Sequence, residues 1–80
     1  MSIETIFEAK DKDEAIKATV SLIRSAKGAQ LQALLGDQEF REAVSGVLQN
    51  LDGQGQKDFE EKLVKASRGR ASLIYESGLI

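Results

Sequence analysis

The amino-acid sequence predicts an all-α fold, a small compact bundle of four to five helices connected by short turns that contain glycine. Three observations support this prediction. The chain has no proline and is rich in residues that favour the helix, namely alanine, leucine, glutamate, lysine and glutamine. Apolar residues recur at intervals of three and four positions. Seven glycines separate these amphipathic stretches, and several stand where a helix is expected to end.

The first twelve residues fit more than one local structure. Ile3, Ile6 and Phe7 have the i, i+3, i+4 spacing of a short amphipathic helix, although the same stretch also fits a short strand. Asp11 and Glu14 have the spacing of a capping box, in which side chains satisfy the free N–H groups at a helix start. We therefore expect an N-terminal segment over residues 1–12 that forms a short helix or is frayed.

Two helices are predicted in the next part of the chain. Over residues 13–27 an apolar stripe has helical spacing, and Arg24 and Lys27 fall in the last turn, where cations interact favourably with the helix dipole. Gly28 suits the position just after that helix. A short helix over residues 29–35 then directs three leucines inward, and Gly36 ends it.

Asp37 is the clearest helix N-cap in the chain. The apolar residues after it match an amphipathic helix almost completely: Phe40, Ala43, Val44, Val47, Leu48 and Leu51. Gly46 lies within this helix at a cost of roughly 1 kcal/mol relative to alanine. It is either a tolerated surface glycine, which we favour, or a point where a neighbouring helix approaches closely.

The last third of the sequence predicts one loop and one long helix. Residues 52–56 contain two glycines and are expected to form the most definite loop. A final helix, the longest of the bundle, is expected over residues 57–76, and Gly69 either bends it or divides it. The apolar end, Leu79 and Ile80, either packs down or frays.

Length and composition predict a single domain over residues 1–80. A core this small supplies only about 3–5 kcal/mol, so small domains often gain stability from disulfides, a metal or self-association. The chain has no cysteine and no histidine, which excludes disulfides and thiolate zinc sites. By elimination we expect self-association or docking on a partner.

The same absences argue against catalysis. Without histidine or cysteine the chain has no imidazole base and no thiolate nucleophile. A chain of 80 residues also leaves little room for both a core and a preorganised pocket. We expect no enzymatic activity, no metal site and no cofactor.

Two binding motifs are only partly matched. Residues 52–63 resemble a calcium loop, but Lys57 stands where glycine is required and Leu63 where a bidentate glutamate is required. Residues 31–51 could form a helix-turn-helix DNA reader. The exposed face of its second helix, however, has Arg41 beside Glu39 and Glu42, which is a poor surface for phosphates.

The C-terminal helix contains the candidate binding residues. Arg68 and Arg70 have no carboxylate within one helical turn, unlike the lysines that precede them. On a continuous helix, Arg68 would share a face with Ser72 and Tyr75, and arginine and tyrosine are enriched at interface hot spots. The candidate partner- or anion-binding residues are Lys65, Arg68, Arg70, Ser72 and Tyr75. An alternative is that the arginines only pair with acidic residues of another helix.

These observations predict a non-enzymatic protein-binding, regulatory or accessory module that self-associates through its C-terminal helix. The alternative is a nucleic-acid or phosphate-ligand binder that uses the basic C-terminal helix. The net charge of −2, with both signs mixed, makes nucleic acid the less favoured partner. No apolar run approaches the length that spans a bilayer, and no secretory signal is recognised, so we expect a cytoplasmic protein without a membrane partner.

Overall fold

A computed structural model describes residues 2–80, so only Met1 of the predicted N-terminal segment lies outside the described residues. The all-α prediction is confirmed, and the described residues form six helices rather than four or five. They are α1 (Glu4–Phe7), α2 (Lys12–Ser25), α3 (Ala29–Gly36), α4 (Gln38–Gln49), α5 (Gly53–Ala66) and α6 (Ala71–Ser77). Helix α1 is the short helix predicted as one alternative for the N-terminal segment, and the sixth helix arises because the predicted final helix is divided into α5 and α6.

The predicted caps begin α2 and α4. The carboxylate of Asp11 accepts a hydrogen bond from the backbone N–H of Glu14 at 2.9 Å. Asp37 accepts one from the N–H of Phe40 at 3.0 Å. In both cases a side-chain oxygen replaces the partner that the first turn of a helix lacks. Local sequence therefore fixes where these helices start.

The predicted loop over residues 52–56 is wrong, because α5 begins at Gly53. Asp52 acts as its N-cap and accepts a hydrogen bond from the N–H of Gly55 at 2.7 Å. Gln56 extends back to α4, where its Nε2 donates to the carbonyl oxygen of Leu48 at 2.9 Å. The cap and this return contact stabilise a first helical turn that two glycines would otherwise disfavour.

Of the two alternatives predicted at Gly69, the structure shows division, so the predicted final helix over residues 57–76 is two helices. Helix α5 ends at Ala66, and the next turn contains Arg68 at φ 55° and Gly69 at φ 84°. Two successive left-handed residues cannot continue a right-handed helix. The last helix, α6, has only 7 residues, whereas α2 and α5 have 14 each.

Side chains from all six helices form one hydrophobic core. Helix α2 packs most extensively against α5, and it also contacts α1 and α4, while α3 packs against α4 and α6. The largest fully buried apolar side chains are Phe40, Phe59, Ile23, Leu31, Leu63, Ile74 and Val44. Leu79 is buried as well, so the C-terminal end packs down. The Cα radius of gyration is 11.3 Å, close to the value of about 11.6 Å expected for a compact chain of this length.

None of the helices in residues 2–80 combines the length and the apolar character that crossing a bilayer requires.

Candidate functional site

Arg70, one of the predicted binding residues, faces the protein interior. Its Nη2 donates to the carbonyl oxygen of Ala26, the C-cap of α2, at 2.8 Å, and its Nε donates to the carbonyl oxygen of Ser67 at 2.9 Å. Carbonyls at the C-terminal end of a helix lack intrahelical partners and have partial negative charge, so a guanidinium is a suitable partner. Arg70 thus joins the end of α2 to the turn between α5 and α6.

The other predicted residues do not form the expected face. The i, i+4, i+7 arrangement of Arg68, Ser72 and Tyr75 required a continuous helix, and the helix is divided between them. Arg68 is exposed in the turn, and Ser72 and Tyr75 are exposed on α6. The tertiary structure does bring Lys65 and Tyr75 together in a shallow groove of about 290 Å³. We call it the tyrosine groove, and its lining is Lys57, Glu60, Glu61, Val64, Lys65 and Tyr75.

A larger groove with a cavity volume of about 450 Å³ lies between α2 and α5. We call it the basic groove, and its lining is Ile16, Lys17, Val20, Ser21, Arg24, Lys62 and Lys65. It contains four cationic side chains and, taken over residues 2–80, no carboxylate. Ile16 and Val20 are partly buried and pack against the core, so they form an aliphatic floor. Lys65 belongs to both grooves, which are therefore adjacent.

Helical spacing explains why the cations gather around that floor. On α2, Ile16 and Val20 are four residues apart and share one face. Lys17 and Arg24 are seven residues apart, which is about two helical turns, so they share the face beside it. On α5, Lys62 and Lys65 are three residues apart and share a face. Packing of α2 against α5 places the two sets on opposite walls of one groove.

The positive charge of the basic groove is only partly compensated locally. Arg24 has no acidic residue three or four positions away on α2. Asp58, which lies four positions before Lys62, accepts a hydrogen bond from Gln54 Nε2 at 3.0 Å. The basic groove therefore combines an apolar floor with cations that attract a negatively charged ligand.

Sequence patterns do not identify Lys17, Arg24 or Lys62 as site residues. Each fits ordinary helix surface, and Arg24 fits a cation in the last turn of a helix. The available signal is the position of Lys17 and Arg24 beside the apolar stripe of α2. That position indicates a groove only when the packing of α5 against α2 is known, because α5 forms the opposite side of the groove.

A third groove, of about 320 Å³, lies beside α1, and Phe7 and Gly46 are among its lining residues. Phe7 is 55% exposed and Tyr75 is 60% exposed, and they are the two exposed large hydrophobic residues in the described chain. No atom outside its own backbone surroundings lies within 4 Å of a Cβ placed on Gly46. Gly46 is accordingly a surface glycine within this chain rather than a close helix contact.

Arg41, the one arginine on the surface considered for a helix-turn-helix DNA reader, bonds within the protein and is not available to a phosphate. Arg41 Nη1 donates to the carbonyl oxygens of Leu35 at 3.0 Å and Ser77 at 2.9 Å, so it joins the ends of α3 and α6. The remaining polar residues on that face include Glu39 and Glu42, which phosphates would repel. Over residues 2–80, no three acidic side chains lie close enough to hold a metal ion.

Comparisons of the chain with protein-family models, with curated proteins and with solved structures found no match. The function is therefore inferred from the chemistry of the grooves.

Proposed function

We propose that this chain is a non-catalytic, regulatory or accessory protein-binding module, whose basic groove binds an acidic amphipathic segment of a protein. The observation that carries the proposal is the composition of the groove. Lys17, Arg24, Lys62 and Lys65 surround the aliphatic floor of Ile16 and Val20, and none of the described residues in the lining is acidic. An acidic segment with one apolar face matches both features.

The dimensions of the basic groove support a helical ligand. Its lining on α2 extends from Ile16 to Arg24, which corresponds to roughly 12 Å along the helix axis. Two turns of a ligand helix have a similar length, and their apolar side chains would occupy the floor while carboxylates reach the cations. The absence of cysteine agrees with a module that acts in the cytoplasm.

The basic groove differs from the C-terminal helix that the sequence predicts for self-association. The small residues Ser67, Gly69 and Ala71 could let a second helix approach closely only if they lay on one continuous helix. Ser67 is fully buried, with its hydroxyl bonded to the Val64 carbonyl, and α5 has already ended there. The basic groove retains Lys65 from the predicted set and offers a larger concave surface.

Nucleic acid is the main alternative ligand for four clustered cations. The aliphatic floor and the net charge of −2 favour a protein ligand. Salt dependence separates the two ligands, because phosphate contacts weaken steeply as salt rises.

Fluorescence anisotropy with two labelled probes tests the proposal. One probe is a synthetic helical peptide with leucine and glutamate on adjacent faces, and the other is a single-stranded oligonucleotide. We expect the peptide to bind and the oligonucleotide to bind weakly or not at all. Arg24→Glu and Lys62→Glu should each weaken peptide binding about tenfold, equivalent to about 1.4 kcal/mol.

Arg68→Glu is the matched control, because it makes the same charge change outside the basic groove and should leave peptide affinity unchanged. Tight oligonucleotide binding with a steep salt dependence would assign the groove to nucleic acid. Absence of peptide binding, or equal loss in the Arg68 variant, would refute the proposed site.

A further inference from the structure

We infer that the ligand of the basic groove is the N-terminal segment of a second copy of this chain, so that copies associate head to tail. The inference rests on the proposed function and names the partner. The central contact is Phe7 of one copy against the floor of Ile16 and Val20 in the next. Glu4 and Glu8, on either side of Phe7, then face the cations of that groove.

The Phe7 side chain projects from the surface, where it can insert into a groove of another molecule. It is 55% exposed at the end of α1, although a phenylalanine side chain has no polar atom that gains from contact with water. Its neighbour Ile6 is 5% exposed and anchors α1 to the core. Phe7 is thus held outward at a fixed place, and its burial against a second surface would remove apolar area from water.

The charges of the two surfaces are complementary. Residues 2–14 contain five carboxylates against two lysines, whereas the lining of the basic groove, as described over residues 2–80, has four cations and no carboxylate. Opposite potentials steer two such surfaces together and fix their relative orientation. An aromatic ring among lysine and arginine side chains also gains cation–π attraction. Tyr75 is the other exposed aromatic residue. Its groove contains Glu60 and Glu61 as well as Lys57 and Lys65, so the surface around it has no excess of one charge.

A single chain cannot make this contact with itself. Phe7 lines the groove beside α1, which shares no residue with the basic groove. To fill its own basic groove, α1 would have to withdraw Ile6 from the core. The N-terminal segment of a second copy can enter the groove while its own Ile6 stays in its core. Two different surfaces then form the interface, so copies join into open chains or closed rings, of which the smallest is a dimer with two reciprocal contacts.

Sedimentation velocity of the complete chain over a concentration series tests the inference. We expect the average mass to rise above 8.7 kDa with concentration and to fall again at high salt, which screens the charged contacts. The interface is small, so association should be weak, with Kd in about the micromolar range or above. Phe7→Ser removes the ligand side chain and Lys62→Glu alters the groove, so each variant alone should remain monomeric.

Mixing the two variants distinguishes this arrangement from a dimer in which one surface pairs with the same surface of the other copy. The Lys62→Glu chain retains its N-terminal segment and the Phe7→Ser chain retains its groove, so a mixture should form a one-to-one complex and nothing larger. Tyr75→Ser is the control, because it removes the other exposed aromatic side chain and should associate like the wild type. Circular dichroism checks folding, and Arg24→Glu replaces Lys62→Glu if that variant unfolds.

A wild-type chain that stays monomeric at the highest concentration would overturn the inference. Association that survives Phe7→Ser, or that both variants abolish without recovery on mixing, would overturn it equally. If the wild type is monomeric but the acidic peptide still binds the basic groove, the inference fails and the proposed function stands. Loss of peptide binding as well would remove both.

Discussion

Arg70 and Ala26 are 44 positions apart in the sequence, and the Arg70 guanidinium donates to the Ala26 carbonyl at 2.8 Å. This contact links the C-terminal end of α2 to the turn that divides the last third of the chain. Arg41 makes a similar link between the ends of α3 and α6. The two arginines therefore stabilise helix ends whose carbonyl groups have no partner within their own helices.

Replacing Arg70 by lysine should destabilise the fold. A lysine retains the charge but lacks the planar fork that serves two carbonyls in different directions. We expect Arg70→Lys to lower the free energy of unfolding by about 1–3 kcal/mol, measured by urea denaturation. In a thermal melt each kcal/mol corresponds to about 4–8 °C for a chain of this size.

Arg68→Lys provides the control for that measurement. Arg68 is exposed in the same turn, and the same substitution there should change stability by less than about 0.5 kcal/mol. Equal effects of the two substitutions would show that the carbonyl contacts of Arg70 do not stabilise the protein.

Replacement of glycine by alanine should have opposite effects on the stability of the fold at Gly46 and at Gly69. Gly46 lies within α4, and the space that an alanine Cβ would occupy there is open, so Gly46→Ala should stabilise by about 0.5–1 kcal/mol through helix propensity. Gly69 has equally open space but a φ of 84°. Gly69→Ala should destabilise by about 1–2 kcal/mol, because an L residue is strained in that conformation.

The free energy of unfolding of both variants is measured by denaturant titration. Similar m-values would show that the two variants expose the same amount of surface on unfolding. Because neither site is crowded, a difference in sign isolates the effect of backbone conformation. Stabilisation by both substitutions would mean that the turn at Gly69 relaxes to accept alanine.

The pKa of Glu4 lies below its ordinary value of 4.5, chiefly because its carboxylate accepts a hydrogen bond from its own backbone N–H and secondarily because of the Ser2 side chain. A carboxyl whose pKa is lower in the folded state stabilises that state above the unfolded pKa. This contribution is lost as the pH falls through the folded pKa. We expect Ser2→Ala to raise the Glu4 pKa towards 4.5 in an NMR titration.

Ser2→Thr retains the hydroxyl and should keep the pKa of Glu4 low. An unchanged pKa in Ser2→Ala would assign the whole effect to the backbone. Comparison of the two variants therefore separates the two causes.

Local sequence was sufficient to predict the helical class and several helix ends. Asp11 and Asp37 cap the helices that they were predicted to cap, and the stripe from Phe40 to Val47 is buried as its spacing predicted. These features depend on interactions within one or two turns. The start of α5 was mispredicted because two glycines outweighed the Asp52 cap, although both signals were present in the sequence.

The candidate site was much less accessible from the sequence. Lys65 and Tyr75 were predicted and do share a groove, but Lys17, Arg24 and Lys62 were not predicted. Arg70 was predicted because it had no carboxylate within a turn. Its partners are main-chain carbonyls, one of them in α2, and no spacing rule reveals such a partner.

The sequence by itself determined that the chain forms amphipathic helices, because periodicity, caps and propensity act over a few residues. Only the tertiary structure decided that α2 packs on α5, which creates the basic groove, and that Arg70 bonds to Ala26. These relationships join residues far apart in the chain, and they depend on which buried faces pack together most favourably. That choice is a property of the whole core, so no local pattern contains it.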